Sequence, residues 1–176
     1  MADAASLREL PPPVLLNLRG DAGAQAFGSA VAGVLGLAPP VEPNTAATSG
    51  ETSLLWLGPD EWLVTATNES AEGLAERLEA ALEGLYHLLV DVSAGRVVLE
   101  LEGPEARAVL AQAISLDLRP RSFGPGRCAQ TGLARVPVVL QQIDDTPRFR
   151  IFVRASFAPY VTEWLQSTIA ELAAPP

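Results

Sequence analysis

The chain has 176 residues, of which 48 percent are hydrophobic, and a net charge of −9 at pH 7. This length and apolar content suffice for a buried core in one domain or in two small halves. The acidic balance argues against a nucleic-acid-binding protein, which needs a basic surface to neutralise phosphates. The lone cysteine, Cys128, rules out a disulfide framework within the chain and favours a reducing cytoplasm.

Neither a targeting signal nor a membrane span is predicted. Residues 1–13 include two acidic side chains, lack an apolar segment and end in three prolines, so we expect a mobile tail or a partner-docking arm. The longest apolar stretch, residues 30–41, is too short to cross a bilayer and is interrupted by glycine and proline.

The first half of the chain predicts alternating strands and helices. Asp21 is placed to cap the first helix, and Asn68 or Ser70 the second. Residues 38–52 are rich in proline, threonine and serine and predict a mobile loop. Apolar spacing predicts, in order, a strand over 14–18, a helix over 27–35, strands over 53–57 and 62–66, a helix over 74–85 and a strand over 87–92.

The second half repeats the start of this order. Gly103 and Pro104 open a predicted helix whose buried stripe runs from Ala106 to Ile114 at helical spacing. An irregular segment around residues 120–126 follows. The remaining predicted elements are strands over 97–101, 134–140 and 149–153, with a turn over 144–147, and a last helix over 161–172.

This element order predicts the fold class. Strand, helix, strand, strand, helix, strand is the split βαβ or ferredoxin-like pattern. The second unit follows the same pattern but lacks its final strand. We therefore predict an α+β protein of two ferredoxin-like half-units with antiparallel sheet. One compact domain is expected over residues 14–176, with half-units of about 14–93 and 96–173.

The sequence contains few of the residues that catalytic sites usually require. It contains no lysine, so Schiff-base chemistry and a phosphate-loop lysine are excluded. Its one histidine, His87, and its one cysteine cannot form a zinc site of the usual kind. The glycines of residues 124–129 neither follow a predicted strand nor open a helix, and therefore predict a loop. We assign no catalytic, cofactor-binding or metal-binding residue.

The carboxylates next to turns have structural explanations. The pairs Asp60–Glu61 and Asp144–Asp145 lie in predicted turns, where aspartate favours local hydrogen bonds. Asp91 interrupts an apolar strand just before Ser93, where a carboxylate would hold the amides of the following loop. A catalytic role for any of them is the minor alternative.

Charge is distributed unevenly along the chain. Residues 60–105 contain eleven acidic residues against two arginines, whereas residues 106–154 contain eight arginines against three acidic residues. Arginine suits desolvated protein interfaces better than lysine does. We predict a partner interface formed by Arg119, Arg121, Arg127, Arg148, Arg150 and Arg154. The alternative is that the chain's own acidic region, residues 60–105, neutralises these arginines.

Six short stretches can be compared with known families: GPDEWLV at 58–64, DVSAGR at 91–96, LEGP at 101–104, SLDL at 115–118, FGPGRC at 123–128 and RASF at 154–157. In this order and spacing they resemble the sarcosine oxidase gamma subunit family. The likeness runs from about residue 14 to 165.

The family is similar in turn to the folate-dependent aminomethyltransferases of glycine cleavage, so the resemblance implies an aminomethyltransferase-like fold. Those enzymes have a catalytic aspartate after a glycine pair, whereas the matching residues 133–140 here contain no carboxylate. The resemblance therefore implies the fold without the active site. A stand-alone folate-binding or aminomethyltransferase-like protein remains the alternative.

The resemblance also implies partners and a reaction. The chain would be a non-catalytic gamma subunit, in the cytoplasm, that binds the alpha, beta and delta subunits and chiefly the large alpha subunit. The complex would demethylate sarcosine oxidatively to glycine, forming hydrogen peroxide and methylene-tetrahydrofolate. FAD, FMN, NAD, tetrahydrofolate and zinc would be held by the other subunits.

Overall fold

The computed structural model describes residues 5–173. The chain divides into two compact units: one is Pro12–Ala94, and the other combines Met1–Pro11 with Gly95–Pro176. The break after Ala94 falls between the two predicted half-units. The elements in chain order are β1 (Ser6–Glu9), β2 (Val14–Gly20), α1 (Gln25–Leu35), β3 (Ala46–Ser49), β4 (Thr52–Gly58), β5 (Glu61–Ala66), α2 (Ala71–Ala81), β6 (His87–Asp91), β7 (Arg96–Glu102), α3 (Ala106–Ala111), β8 (Cys128–Leu133), β9 (Val136–Asp144), β10 (Arg148–Arg154) and α4 (Ala158–Ala173).

The unit Pro12–Ala94 has the predicted ferredoxin-like order. Its sheet runs β3-β4-β5-β2-β6, and every pairing is antiparallel. Without the added edge strand β3, this is the strand order of a split βαβ unit. Helices α1 and α2 supply Phe27, Val31, Leu74 and Leu78 to one buried core with the sheet. The prediction of an antiparallel α+β fold is confirmed.

The N-terminal segment completes the second sheet, and the prediction of a mobile tail is wrong for residues 6–9. This sheet runs β1-β7-β10-β9-β8, also antiparallel throughout. Strand β1 takes the place of the final strand that the second half lacks. Its pairing with β7 satisfies backbone groups at the sheet edge, and Leu7 packs against the core of this unit. Residues 1–4 of the predicted tail lie outside the described residues.

Two other irregular segments are more ordered than predicted. Residues 46–49, within the expected loop 38–52, form β3 against β4. The same loop is fixed by Trp62, whose buried indole Nε1–H donates to the Pro40 carbonyl at 2.8 Å. After the irregular residues 120–126, Cys128–Leu133 forms strand β8, which the sequence did not predict.

Helix boundaries differ from the predictions by up to four residues. Helix α3 begins at Ala106, because Gly103 and Pro104 belong to the preceding turn, where Gly103 has φ 119°. Helix α1 begins at Gln25 without a side-chain cap, and Asp21 instead accepts the Gly23 amide at 2.8 Å. The predicted Ser70 cap of α2 is confirmed, since its hydroxyl accepts the Gly73 amide at 3.1 Å.

Candidate subunit interface

Side chains of the kinds that bind metal ions do not cluster in the described part of the chain. Among residues 5–173, no three or more histidine, cysteine, aspartate or glutamate side chains gather where they could hold a metal ion. Cys128 is buried and unbonded to another cysteine. No helix within the described residues is long and apolar enough to cross a membrane.

His87, the only histidine, is fixed by structural contacts at both ring nitrogens. Its Nδ1 lies 2.9 Å from the Leu85 carbonyl, and its Nε2 lies 2.8 Å from the Glu79 carboxylate. Both neighbours are acceptors, so the doubly protonated ring can donate to each, whereas the neutral ring can donate to only one. The Leu85 carbonyl, followed by Glu79, accordingly raises the pKa of His87. The ring joins the end of α2 to β6.

The carboxylates of Asp60 and Glu61 contact side chains of the neighbouring strand. Asp60 accepts from the Arg19 guanidinium at 3.1 Å, and Glu61 accepts from the Asn17 amide at 2.7 Å. These contacts tie the β4–β5 turn to strand β2. Both carboxylates thus have structural partners, but the partners lie in β2 and not within the turn, where turn chemistry predicts them.

Asp91 and Asp144, in contrast, form the local hydrogen bonds that turn chemistry predicts. The Ser93 hydroxyl and amide donate to Asp91 at 2.6 and 2.9 Å, and these two bonds, the hydroxyl first, lower the pKa of Asp91. Asp144 accepts from the Thr146 hydroxyl and amide and forms an ion pair with Arg148 at 2.5 Å. Each aspartate thus fixes the first residues of a turn.

A buried carboxylate joins three strands of the sheet β1-β7-β10-β9-β8. Glu100 of β7 lies opposite Arg8 of β1 on one side and opposite Arg150 of β10 on the other. It is only 1 percent exposed and accepts from both guanidiniums, from Arg150 at 3.3 Å. A buried carboxylate requires such pairing, and Glu100 lies within the acidic region 60–105. The chain itself therefore neutralises Arg150.

The irregular segment between α3 and β8 is held by Arg107. Its guanidinium donates to the carbonyls of Leu118 and Phe123 and to the Gln142 side chain, and lies over the Phe149 ring at 5.2 Å from the ring centroid. Burial lowers the pKa of Arg107. One half-buried arginine thus satisfies carbonyls that an irregular segment leaves without backbone partners.

The six predicted interface arginines differ in their contacts and lie in two separate places. Arg148 and Arg150 have carboxylate partners as described, and Arg119 forms a bidentate pair with its neighbour Asp117, at 2.6 and 2.8 Å. Arg121 and Arg154 are exposed and have no ion pair among residues 5–173. The sixth, Arg127, is half-buried. The structure therefore distributes these side chains over two places, the 115–127 segment and the face of β10.

Arg154 lies in a second basic cluster that the sequence did not indicate. It is directly opposite Arg96 in the β7–β10 register, and both line an open groove with Arg135. Arg135 belongs to the two-residue turn between β8 and β9, where it and Ala134 have φ of 76° and 46°. This is the positive-φ geometry that tight hairpins require. These three arginines, at least 19 positions apart in the sequence, meet here only because strand pairing brings them together.

Comparison with known proteins identifies relatives along nearly the whole chain. A model of the family "Sarcosine oxidase, gamma subunit family" matches residues 19–171. The sarcosine oxidase subunit gamma of Arthrobacter sp is 38 percent identical over 175 residues, which cover 99 percent of this chain and 84 percent of the relative.

Solved structures show the same relationship. The heterotetrameric sarcosine oxidase from Corynebacterium sp. U-96, in complex with pyrrole 2-carboxylate, contains a chain that matches with a TM-score of 0.92 and 35 percent identity, over 100 percent of this chain and 89 percent of that one. The glycine cleavage system aminomethyltransferase T from Bartonella henselae matches with a TM-score of 0.69 and 19 percent identity, over 92 percent of this chain and 45 percent of that one. The second match shows a shared fold and confirms the predicted aminomethyltransferase-like architecture.

Proposed function

The chain belongs to the sarcosine oxidase gamma subunit family, and from this premise we propose that it is the non-catalytic gamma subunit of a heterotetrameric sarcosine oxidase. Its full-length likeness to a chain of a solved heterotetrameric sarcosine oxidase is the observation that carries the proposal. The partners are the alpha, beta and delta subunits, chiefly the large alpha subunit. The lone buried Cys128 is in keeping with a cytoplasmic complex.

In this proposal the complex, and not this chain, performs the chemistry. It converts sarcosine to glycine, forms hydrogen peroxide and transfers the one-carbon unit to tetrahydrofolate. The other subunits hold FAD, FMN, NAD, tetrahydrofolate and zinc. The amino-acid composition supports the assignment of the chemistry to the other subunits. The sequence contains no lysine, and both ring nitrogens of its single histidine contact Glu79 and Leu85.

The fold likeness to the aminomethyltransferase does not favour a stand-alone folate enzyme. Residues 133–140, where the resemblance would place the aspartate-bearing stretch of those enzymes, comprise the end of β8, the turn and the first part of β9, and contain no carboxylate. Their polar side chain, Arg135, belongs to the turn. A shared fold without the reacting group supports a binding role more than a catalytic one.

The isolated chain is expected to be colourless and inert, and to join a tetramer only when its partners are present. Purification of the chain alone, followed by desalting, absorbance measurement and a sarcosine oxidation assay, checks the first part. Co-expression with the flavoprotein and folate-domain subunits checks the second. Flavin absorbance that survives desalting, sarcosine turnover by the chain alone, or failure of the wild-type chain to join the other subunits would contradict the proposal.

The arginines of the 115–127 segment are proposed to face an acidic partner surface. The double change Arg119→Ser with Arg121→Ser is expected to weaken assembly and reduce its salt dependence, because exposed charges steer association through a screened field. The isolated double variant should melt within about 2 °C of the wild type, since exposed ion pairs contribute roughly 0–1 kcal/mol. Native gel shifts at several salt concentrations measure the first effect.

Arg148→Ser is the matched control, since Arg148 is paired with Asp144 of the same chain and its side chain is 35 percent exposed, against 63 percent for the paired Arg119. Its loss should lower the melting temperature while leaving assembly intact. If the double variant of Arg119 and Arg121 co-purifies with its partners as the wild type does at low and moderate salt, these arginines do not contact a partner.

A further inference from the structure

Strand β6 forms an open edge of the sheet in the unit Pro12–Ala94. In the order β3-β4-β5-β2-β6 it pairs with β2 alone. The Val92 amide donates to the Leu15 carbonyl at 2.9 Å, and antiparallel pairs alternate between bonded and non-bonded positions. By this alternation, the backbone groups of Leu88 and Val90 bond to β2. The backbone N–H and C=O of His87 and Leu89 then point away from the sheet.

Strand β6 and the residue just before it expose three large apolar side chains on one face. Tyr86 is 89 percent exposed, Leu88 53 percent and Val90 43 percent, and their spacing of two residues puts them on a common side. The alternate residues, Leu85 and Leu89, pack instead against the core of this unit. Soluble proteins normally protect an edge strand with lysine, proline or a bulge, because an apolar open edge pairs readily with other chains.

The surroundings of this edge are acidic. Glu79 contacts His87 of the strand at 2.8 Å, Glu83 lies in the connection between α2 and β6, and Asp91 ends the strand. The adjacent arginine, Arg19 of β2, is already paired with Asp60. A second copy of this chain would place these carboxylates close to their own equivalents. A different chain with basic residues beside an apolar strand complements them.

We propose that β6 is a docking edge to which another subunit of the complex adds an antiparallel or parallel strand, with apolar side chains against Tyr86, Leu88 and Val90 and with arginine or lysine beside the carboxylates. Strand addition gives affinity through main-chain hydrogen bonds and specificity through alternate side chains. This inference rests on the proposed function and names the surface through which that function is exercised.

The test uses the full chain co-expressed with the other three subunits. Leu88→Thr combined with Val90→Thr removes the apolar surface and leaves β-branched residues, which suit a strand, at both positions. We expect at least a tenfold loss of affinity for the partner subunits, because buried apolar anchors dominate interface energetics. The melting temperature of the isolated chain should change little, since both side chains are already exposed in it.

Val41→Thr is the matched control, because Val41 is 68 percent exposed in the same unit but lies outside the strands. It should leave assembly unchanged. Glu83→Gln should slow association and flatten its salt dependence. Hydrogen exchange supplies an independent readout: the amides of His87 and Leu89 should become protected on assembly, beyond any protection in the isolated chain.

Three results overturn the inference. The first is wild-type assembly of the double variant. The second is unchanged exchange of the His87 and Leu89 amides in the assembled complex. The third is a homodimer of the isolated chain that the double variant abolishes, which would assign the edge to a second copy. Failure of the wild-type chain to assemble at all is a separate outcome, since it contradicts the proposed function itself.

Discussion

Replacement of Leu110 by alanine is expected to lower the free energy of unfolding by about 2–5 kcal/mol, because it removes a fully buried side chain and leaves a cavity. Leu110 is 0 percent exposed and belongs to the core cluster of the second sheet, where α3 packs. Its neighbour Val109 is equally buried, so the substitution falls inside the packed core. Urea denaturation of the isolated chain, followed by circular dichroism, measures the difference.

Pro104→Ala is the companion change and should cost only a fraction of a kcal/mol. Pro104 is exposed and lies in the turn before α3, two residues ahead of the first helical residue. Because it is exposed and lies outside the helix, its replacement mainly removes the restriction that the ring places on the backbone of the turn. If denaturation ranks Pro104→Ala as the more damaging change, the assignment of the buried face of α3 is wrong.

Local patterns in the sequence were sufficient for most of the fold. The apolar stripe of residues 106–114, the alternation in β10 and the sharp turn before it each depend on neighbours within one element. Such signals predicted the antiparallel α+β class and the repeated order of elements. Helix starts were less accurate, because Asp21 can satisfy a turn amide as readily as a helix amide.

Strand β1 shows why the remaining part could not be predicted. Its four residues include a single large apolar side chain, Leu7, and a three-proline run follows soon after. Its partner β7 lies about 90 residues further along the chain. Nothing local marks Ser6–Glu9 as a strand, and only the unpaired edge of β7 makes extended structure favourable there.

The ion-pair partners of the interface arginines could not be predicted for the same reason. Their spacing on β10 was visible in the sequence, and so was the acidic region that could neutralise them. Which carboxylate meets which guanidinium depends on the register of β1, β7 and β10, and that register brings Arg8 and Arg150 to Glu100. The exposed face of β6 was missed for a different reason. Alternating apolar residues predict a buried strand whether or not a partner covers them.

Gly20→Ala is expected to destabilise the unit Pro12–Ala94 by about 1–3 kcal/mol, the usual cost of forcing extra atoms into a packed core. An alanine Cβ at this position would lie 2.2 Å from Cε2 of Phe27, far inside van der Waals contact. The Phe27 ring cannot swing away, because it is 1 percent exposed and packs against the buried Trp62 at a centroid separation of 5.6 Å. Either the end of β2 or helix α1 must therefore shift.

Gly33→Ala is the same substitution and is expected to have the opposite effect on stability. Gly33 lies on the exposed side of α1, and a Cβ there meets no atom within 4 Å. Alanine should stabilise the chain by about 0.5–1 kcal/mol, since glycine loses more backbone entropy on helix formation. Denaturation curves of both variants against the wild type measure the two signs. A Gly20→Ala protein as stable as the wild type would show that Phe27 is not confined between Gly20 and Trp62, and that the contact between α1 and the sheet is looser than the buried rings indicate.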